Sequence, residues 1–514
     1  MTGNVVGMLI VMIIYMVFMV LVGVYYAKRN NDVGDFYLGG RQLGPVVTAM
    51  SAEASDMSSW LLMGLPGVAY LTGCAEATWT AIGLAIGTYL NWLLVSRRLH
   101  RYTVKTNSIT IPQFFENRFH DKSHSLIAIS AIVIVIFFVP YTASGFAACG
   151  KLFSTMFGAP YLPAMVISAA IIVIYTALGG FLAASFTDLI QSIIMTGALV
   201  VVLLFGIHTA GGLDAVMANA RSMDGYLSVR FIHNVTTKAA DRYSLLTIFS
   251  LLALGLGYFG MPHILLRFMG AENEKKLNIS RRIATIWVVI SMFIAIFIGI
   301  IGSAMTKAGA IETLSGSGES EKLIIKVAML LSHHGLLPIL AAGLILSGIL
   351  ACTMSTSDSQ LLAASSSVSE NILHDWLGIN LTQKKSMLMA RITVLIIAVI
   401  GVVLARDPNS SVFRIVQFAW AGFGASFGPV MLFSLFWRRT TRNGALAGMI
   451  AGGAMVFIWK FGIARLGGGW AIYELLPAFA VACAAILIVS LAGKEPEESI
   501  LKTFDAVSAE GKKA

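Results

Sequence analysis

The chain has 514 residues, 57% of them hydrophobic and 12% charged, with a mean hydropathy of +0.81, against roughly 25% charged residues in an ordinary soluble domain. A water-soluble fold cannot hide that much apolar surface, so the composition excludes one and makes the lipid bilayer the solvent. The formal charge of +10 does not mark a nucleic-acid binder, because the basic residues fall in short runs between apolar segments and not on one face.

In chain order, apolar stretches of membrane-spanning length begin near residues 8, 46, 78, 125, 161, 185, 244, 283, 336, 388, 412, 444 and 472, about thirteen helical spans in an all-α membrane protein. The first, near Leu9 to Tyr26, has no charged region ahead of it and no small-residue cleavage site behind it, so it is expected to stay as a helix and not to leave as a signal peptide. Lys28, Arg29, Arg41, Arg97, Arg98, Arg101, Lys275, Lys276, Arg281, Arg282, Lys384, Lys385, Arg438, Arg439 and Arg442 fall in alternate loops, which the positive-inside rule makes cytoplasmic. The opposite loops, such as Asp407 to Ser411 and Gly467 to Gly469, carry only isolated basic residues, apart from the stretch Arg221 to Arg242. An odd number of spans then puts the N-terminus outside and the C-terminus in the cytoplasm. Cys74, Cys149, Cys352 and Cys483 lack metal-ligand spacing and are read as packing residues. The expected organisation is one transmembrane domain over residues 1–493, with a polar tail over 494–514 too short for a signalling domain.

Two spans are interrupted. Segment 2, from Val46 to Ala69, is apolar at both ends but carries Ser51, Glu53, Ser55, Asp56, Ser58 and Ser59 at its middle; carboxylates at membrane depth are expensive and mark function. Segment 7, roughly Leu245 to Leu266, contains Gly255, Gly257 and Gly260 before Pro262, which weaken and then break an interior helix. Its GxGxxG pattern follows no strand, so it is not a dinucleotide site. Segments 2 and 7 are five spans apart, which predicts two five-helix repeats of opposite orientation, about 46–207 and about 244–437. Paired interrupted helices point to the site of a secondary transporter: half-helix N-termini attract an anionic group, while freed carbonyls and hydroxyls replace the water shell of a small cation. The competing reading, glycines for close packing and serines bonded to their own helix, accounts for either break alone better than for both.

Segment 9 carries CTMSTSDSQ, with Ser355 and Ser359 on one face, Asp358 beside them and Thr356 next in sequence. For Ser355 and Thr356, bonding back to their own helix is the competing role. Asp188 follows YTALGGFLAASFT near the inner end of segment 6, where capping a helix N-terminus is its alternative. A carboxylate with clustered hydroxyls suits sodium better than a soft metal. His263, His333 and His334 show no ligand spacing, and the spans hold no His/Asp pair or exposed nucleophile of a membrane enzyme.

Long ordered runs, including FYLGGRQLGP near Arg41, ASDMSSWLLMGLPG around Asp56, YTASG at Tyr141, GLGYFGMPHIL, ACTMSTSDSQLL and AWAGFGASFGPVMLFSLFWRRTTRNGALAG, closely resemble the solute:sodium symporter family, in its bacterial sodium/proline branch, over nearly the whole chain. The resemblance implies thirteen helices in an inverted five-plus-five repeat of the leucine-transporter type, alternating access in a bacterial plasma membrane, and a working monomer. It implies Na+ held between segments 2 and 9 by the carbonyls of Ala54, Met57 and Cys352 and the hydroxyls of Ser355 and Thr356, with Asp56 needed for sodium-dependent transport and Arg41 influencing sodium use. The substrate pocket, for a small zwitterion and by resemblance L-proline, falls on Ser58, Ser59, Trp60, Tyr141, Leu254, Tyr258 and Pro262. A second sodium in some members would here meet Asp188, Ser355, Asp358 and Ser359; the two aspartates sharing a proton is the alternative. The sequence departs from the branch at Leu254 (tryptophan), Ser59 (glycine), Glu53 (a small residue) and Asp358 (serine), which leaves another amino acid, a vitamin or a sugar acid open as substrate.

Overall fold

The computed structural model describes residues 3–27, 37–176, 180–379 and 382–513. Lys28, Arg29, Phe36 of the FYLGG motif and residues 177–179 of the motif before Asp188 lie outside the described residues, as does the side chain of Lys384. The architecture is helical: α1 (Gly3–Ala27), α2 (Pro45–Asp56), α3 (Trp60–Thr72), α4 (Cys74–Lys105), α5 (Ile111–Phe119), α6 (Ser125–Phe157), α7 (Tyr161–Thr176), α8 (Phe181–Thr209), α9 (Leu213–Arg221), α10 (Leu245–Gly260), α11 (Pro262–Gly270), α12 (Leu277–Lys307), α13 (Leu323–Leu331), α14 (Leu336–Trp376), α15 (Gln383–Leu404), α16 (Val412–Phe436), α17 (Arg442–Phe461), α18 (Leu475–Ala492) and α19 (Glu498–Lys513). Among the described residues, nine helices are long and apolar enough to cross a membrane, or ten when the bent pair α10 and α11 counts as one span; Trp60–Thr72, Tyr161–Ile174 and Leu388–Leu404 are shorter apolar helices. The chain is a multi-pass membrane protein, and the exposed isoleucines, leucines and valines along its long apolar helices suit a lipid-facing surface.

Both interruptions are present. In segment 2, α2 ends at Asp56, Met57 leaves helical geometry (φ −73°, ψ 67°), and a π-turn over Trp60–Gly64 leads into α3. That wide turn precedes Pro66, whose ring clashes with an α-helical carbonyl four residues back and which has no N–H to give. In segment 7, Ala253–Gly260 tightens to a 3₁₀ helix, Met261 is extended, and Pro262 starts α11 at an angle of 47°. Glycine is required at two places here: a Cβ on Gly257 would stand 1.9 Å from Trp420 Nε1, and one on Gly260 would stand 2.3 Å from the Phe423 carbonyl oxygen. Segment 7 therefore lies backbone-close against α16. Around these breaks α2 packs on α8 and α12, α10 on α4 and α16, and α14 on α8, α6 and α1.

Two expectations are corrected. The long polar stretch from Arg221 to Arg242 contains a short antiparallel hairpin, Phe231–His233 with Ala240–Arg242, so the chain is not wholly α. The tail is not merely polar: Ile500, Phe504 and Val507 bury one face of α19, and Phe504 lies 5.1 Å from the Arg98 guanidinium and 4.9 Å from that of Arg118. Arg98 donates to Ser508 (2.5 Å), Arg101 donates to the Val507 carbonyl (2.9 Å), and Arg438 pairs with Asp505 (3.0 Å). The apolar spacing 500, 504, 507 is that of an amphipathic helix and was legible.

Candidate functional site

Because α2 ends in mid-membrane, its last carbonyls have no partners further along the helix. Side chains supply them. The Ser355 hydroxyl of α14 donates to the Ala54 carbonyl (2.7 Å) and lies 3.3 Å from the Cys352 carbonyl, to which Thr356 donates at 3.0 Å. Four of the expected sodium ligands, Ala54, Cys352, Ser355 and Thr356, are thus gathered at one α2–α14 contact. The Thr356 bond is the back-bond to its own helix, whereas Ser355 also reaches across. Met57 is buried at the helix end, its N–H bonded to the Glu53 carbonyl (2.7 Å).

Asp56 joins this end to the aromatic residues. Its carbonyl accepts from Trp60 Nε1 (3.0 Å) and the Tyr141 hydroxyl (3.3 Å), and its carboxylate Oδ2 accepts from the Tyr258 hydroxyl (2.6 Å). Tyr258 in turn meets Trp420 edge-on at 5.0 Å, and Trp420 Nε1 donates to the Leu254 carbonyl (2.8 Å). A pocket with about 20 Å³ of free space, room for one water molecule, is lined by Trp60, Leu254, Phe413, Gln417 and Trp420 among others. Of the expected substrate residues, Trp60 and Leu254 line it directly and Tyr258 backs it. Tyr141 is tied to the break, Ser58 accepts weakly from the Trp60 N–H (3.5 Å), Ser59 is buried with its hydroxyl unpartnered, and Pro262 opens α11. Sequence reasoning missed Trp420, Phe413 and Gln417. They lie on α16, which reads as an ordinary apolar span, and it is the close packing on segment 7, at Gly257, Leu254 and Tyr258, that holds Trp420 in the pocket.

Asp188 is not a helix cap: it lies inside α8, seven residues past Phe181. Its Oδ2 accepts from the Ser51 hydroxyl (2.6 Å) and from Arg267 (3.1 Å), and the same guanidinium donates to Ser51 (3.0 Å), Ser359 (2.5 Å) and the His263 carbonyl (2.8 Å). Arg267 and Asp188 are both fully enclosed, and Asp358 lies within electrostatic reach of this arginine. Of the residues expected around a second sodium, Asp188, Asp358 and Ser359 therefore lie about a positive side chain that sequence reasoning did not single out, while Ser355 reaches Ala54 instead. Glu53 accepts from Trp92 Nε1 (2.9 Å), leaving one oxygen each on Glu53, Asp56 and Asp188 without a hydrogen-bond partner. Arg41 does not touch the sodium ligands; it donates to the Met269 carbonyl (2.7 Å) at the end of α11 and to Ser108 (2.8 Å).

Two broken helices meeting beside buried carboxylates, clustered hydroxyls and an aromatic pocket define an ion-coupled membrane transporter. The chain belongs to the sodium:solute symporter family, whose model matches residues 36–452, and sodium is its coupling ion. It is 42% identical over 507 residues to a sodium/proline symporter of Haemophilus influenzae, covering 98% of each chain. It is equally 42% identical to a high-affinity proline transporter of Bacillus subtilis, covering 95% of this chain and 98% of that one. Its fold is similar to a substrate-bound, outward-open Na+-coupled sialic acid symporter, with a TM-score of 0.76 at 18% identity over 96% of this chain and 99% of the other.

Proposed function

We propose that this protein imports L-proline together with sodium by alternating access, in a bacterial plasma membrane and as a monomer, with the N-terminus outside and the C-terminus in the cytoplasm. The observation that carries the reading is the union at Asp56 of the α2 end, contacted by Ser355, with the aromatic pocket, contacted through Tyr258. Thirteen spans, with 46–207 and 244–437 as inverted repeats, give these two breaks corresponding positions; the whole-length likeness to proline transporters supports the substrate.

In this reading Na+ is cargo, held by the carbonyls of Ala54, Met57 and Cys352 and the hydroxyls of Ser355 and Thr356. Those hydroxyls already sit at α2 and their own helix, so turning their protons away presents oxygens to the ion without moving backbone. Binding joins α2 to α14 and orders the segment that carries Ser58, Ser59 and Trp60, so sodium raises substrate affinity and substrate raises sodium affinity equally. Moving one charge inward yields about 2.3 kcal/mol per 100 mV and a tenfold concentration ratio about 1.4 kcal/mol, enough for strong accumulation with one ion. A second sodium among Asp188, Asp358 and Ser359 has to displace the Arg267 guanidinium. A sodium Hill coefficient near one, unchanged by Asp358→Ser, rules that second ion out, and a coefficient near two requires it.

Sodium-dependent uptake of labelled proline into proteoliposomes, with unlabelled competitors, tests the function; uptake independent of sodium refutes it. Asp56→Ala is expected to weaken apparent sodium affinity much more than it changes abundance in the membrane. Leu254 favours a second reading, a different small solute, because it brings an aliphatic side chain to the pocket wall where the branch has an indole. Competition by another amino acid stronger than by proline selects that reading.

A further inference from the structure

Glu53, where the branch carries a small residue, brings a second carboxylate to the end of α2. Glu53 and Asp56 stand three residues apart on that helix, so their side chains share one face. Both are enclosed, at 1% and 0% exposure, and each lies within electrostatic reach of the other. Among the described residues no basic side chain answers either charge; Arg267, the buried arginine that touches α2, is committed to Asp188 and Ser51.

The two carboxylates face α4 and α10. Trp92 Nε1 on α4 donates to Glu53 Oε1 (2.9 Å), and the Tyr258 hydroxyl on α10 donates to Asp56 Oδ2 (2.6 Å). The helices meet there backbone to backbone, since a Cβ on Gly87 would stand 2.3 Å from the Gly255 carbonyl oxygen. Thr88 lies beside the Tyr258 hydroxyl, and Asn91 and Trp92, three and four residues further on, continue the same face of α4. Thr88 and Asn91 are wholly buried. Four oxygens at this junction have no hydrogen-bond partner: Glu53 Oε2, Asp56 Oδ1, Thr88 Oγ1 and Asn91 Oδ1. The Asn91 amide nitrogen has none either, so its oxygen is free to take either position.

Charge and donor type identify the ligand. Two carboxylates without a counter-charge are costly in a dry interior, and a cation relieves that cost. Oxygen donors with no imidazole or thiol select a hard cation, and this set falls short of the about six to eight oxygens that calcium takes. Sodium, the coupling ion, fits. The cargo position lies on the other side of α2, where the carbonyls and hydroxyls of Ala54, Met57, Cys352, Ser355 and Thr356 carry no formal charge. Affinity rises with the charge of the ligands, so the carboxylate side holds sodium more tightly.

We propose that Glu53, Asp56, Thr88 and Asn91 hold a resident sodium ion, separate from the cargo ion, which stays in place through the transport cycle and ties α2 to α4 and α10. It fixes the aromatic side of the break, through Asp56 and Tyr258, while the cargo ion loads on the α14 side. The resident ion is saturated below the concentrations that load the cargo position, so it adds nothing to the Hill coefficient of uptake.

Equilibrium binding of labelled sodium to the purified full chain, without solute and with choline holding the ionic strength, tests this whichever solute is carried. The wild type is expected to show two classes, the tighter at least about tenfold below the weaker. Glu53→Gln is expected to weaken the tight class at least about tenfold, the loss of one charge-assisted contact, and to leave the weak class within about threefold. Ser355→Ala is expected to weaken the weak class and spare the tight one. Thr88→Val with Asn91→Leu keeps both acids and serves as the second variant should Glu53→Gln not fold, with the same loss expected. A wild type with a single class that Ser355→Ala removes overturns the resident ion. So does a tight class unchanged by both the Glu53 variant and the double variant, the result expected where Glu53 carries a proton in place of a sodium contact.

Discussion

Replacing Arg267 by methionine keeps the length of the stem and removes the charge, and the structure sets the scale of the damage. At 3.1 Å, with an effective dielectric near 20, the attraction to Asp188 is about 5 kcal/mol. The substitution leaves a buried carboxylate whose Oδ1 already lacks a partner and whose Oδ2 keeps only the Ser51 hydroxyl. Breaking a buried pair from one side costs about 3–5 kcal/mol. At about 2 cal/mol/K of unfolding entropy per residue, a chain of this size then melts roughly 3–5 °C lower. Asp188→Asn alone is expected to cost a similar amount by stranding the guanidinium. The double variant Arg267→Met with Asp188→Asn removes both charges of the pair, so it should recover at least about 2 kcal/mol relative to the sum of the singles. Thermal unfolding of the four proteins in one detergent measures this cycle. Additive losses refute the idea that the pair acts as a unit, and single variants as stable as the wild type refute the geometry itself.

Ser355→Ala removes the hydroxyl that reaches Ala54 (2.7 Å) and should weaken apparent sodium affinity tenfold or more, read from uptake against sodium concentration; an unchanged curve removes Ser355 from the ion site. Gly257→Ala puts a Cβ 1.9 Å from the Trp420 indole, an overpacking cost of about 1–3 kcal/mol or more, and is expected to abolish solute binding while far-ultraviolet dichroism stays helical. Leu254→Trp should raise proline affinity if the pocket needs a third indole beside Trp60 and Trp420; lower affinity means that those two already supply the aromatic wall. Phe504→Ala strips the apolar centre of α19 from between Arg98 and Arg118 and should make the tail cleavable by protease at a concentration that leaves the wild type intact.

Much of the site was legible because its physics is local. A carboxylate and a run of serines cannot sit at the middle of an apolar span without a purpose, and glycines before a proline cannot continue a helix, so the breaks at Met57 and Met261 were expected where they occur. The Ser355 register was legible for the same reason, since neighbours on one helix face follow from the 3.6-residue period. Arg267 was not. In sequence it is one basic residue near the end of a span, and its place beside Asp188 depends on how α11, α8, α2 and α14 converge. Trp420 and Gln417 were hidden likewise, because an apolar helix does not declare which neighbour its indole faces.

The sequence by itself determined the solvent, the multi-pass helical character, the two interruptions and the residues of α2 and α14 suited to a small cation, all consequences of composition and of period along one chain. Only the tertiary structure decided that Arg267 answers the charge of Asp188, that Trp420 and Phe413 complete the pocket, and that α19 docks under the basic loops. Those arrangements join residues 67 to 406 positions apart, and contact at that separation is set by the packing of whole helices, which no local pattern encodes.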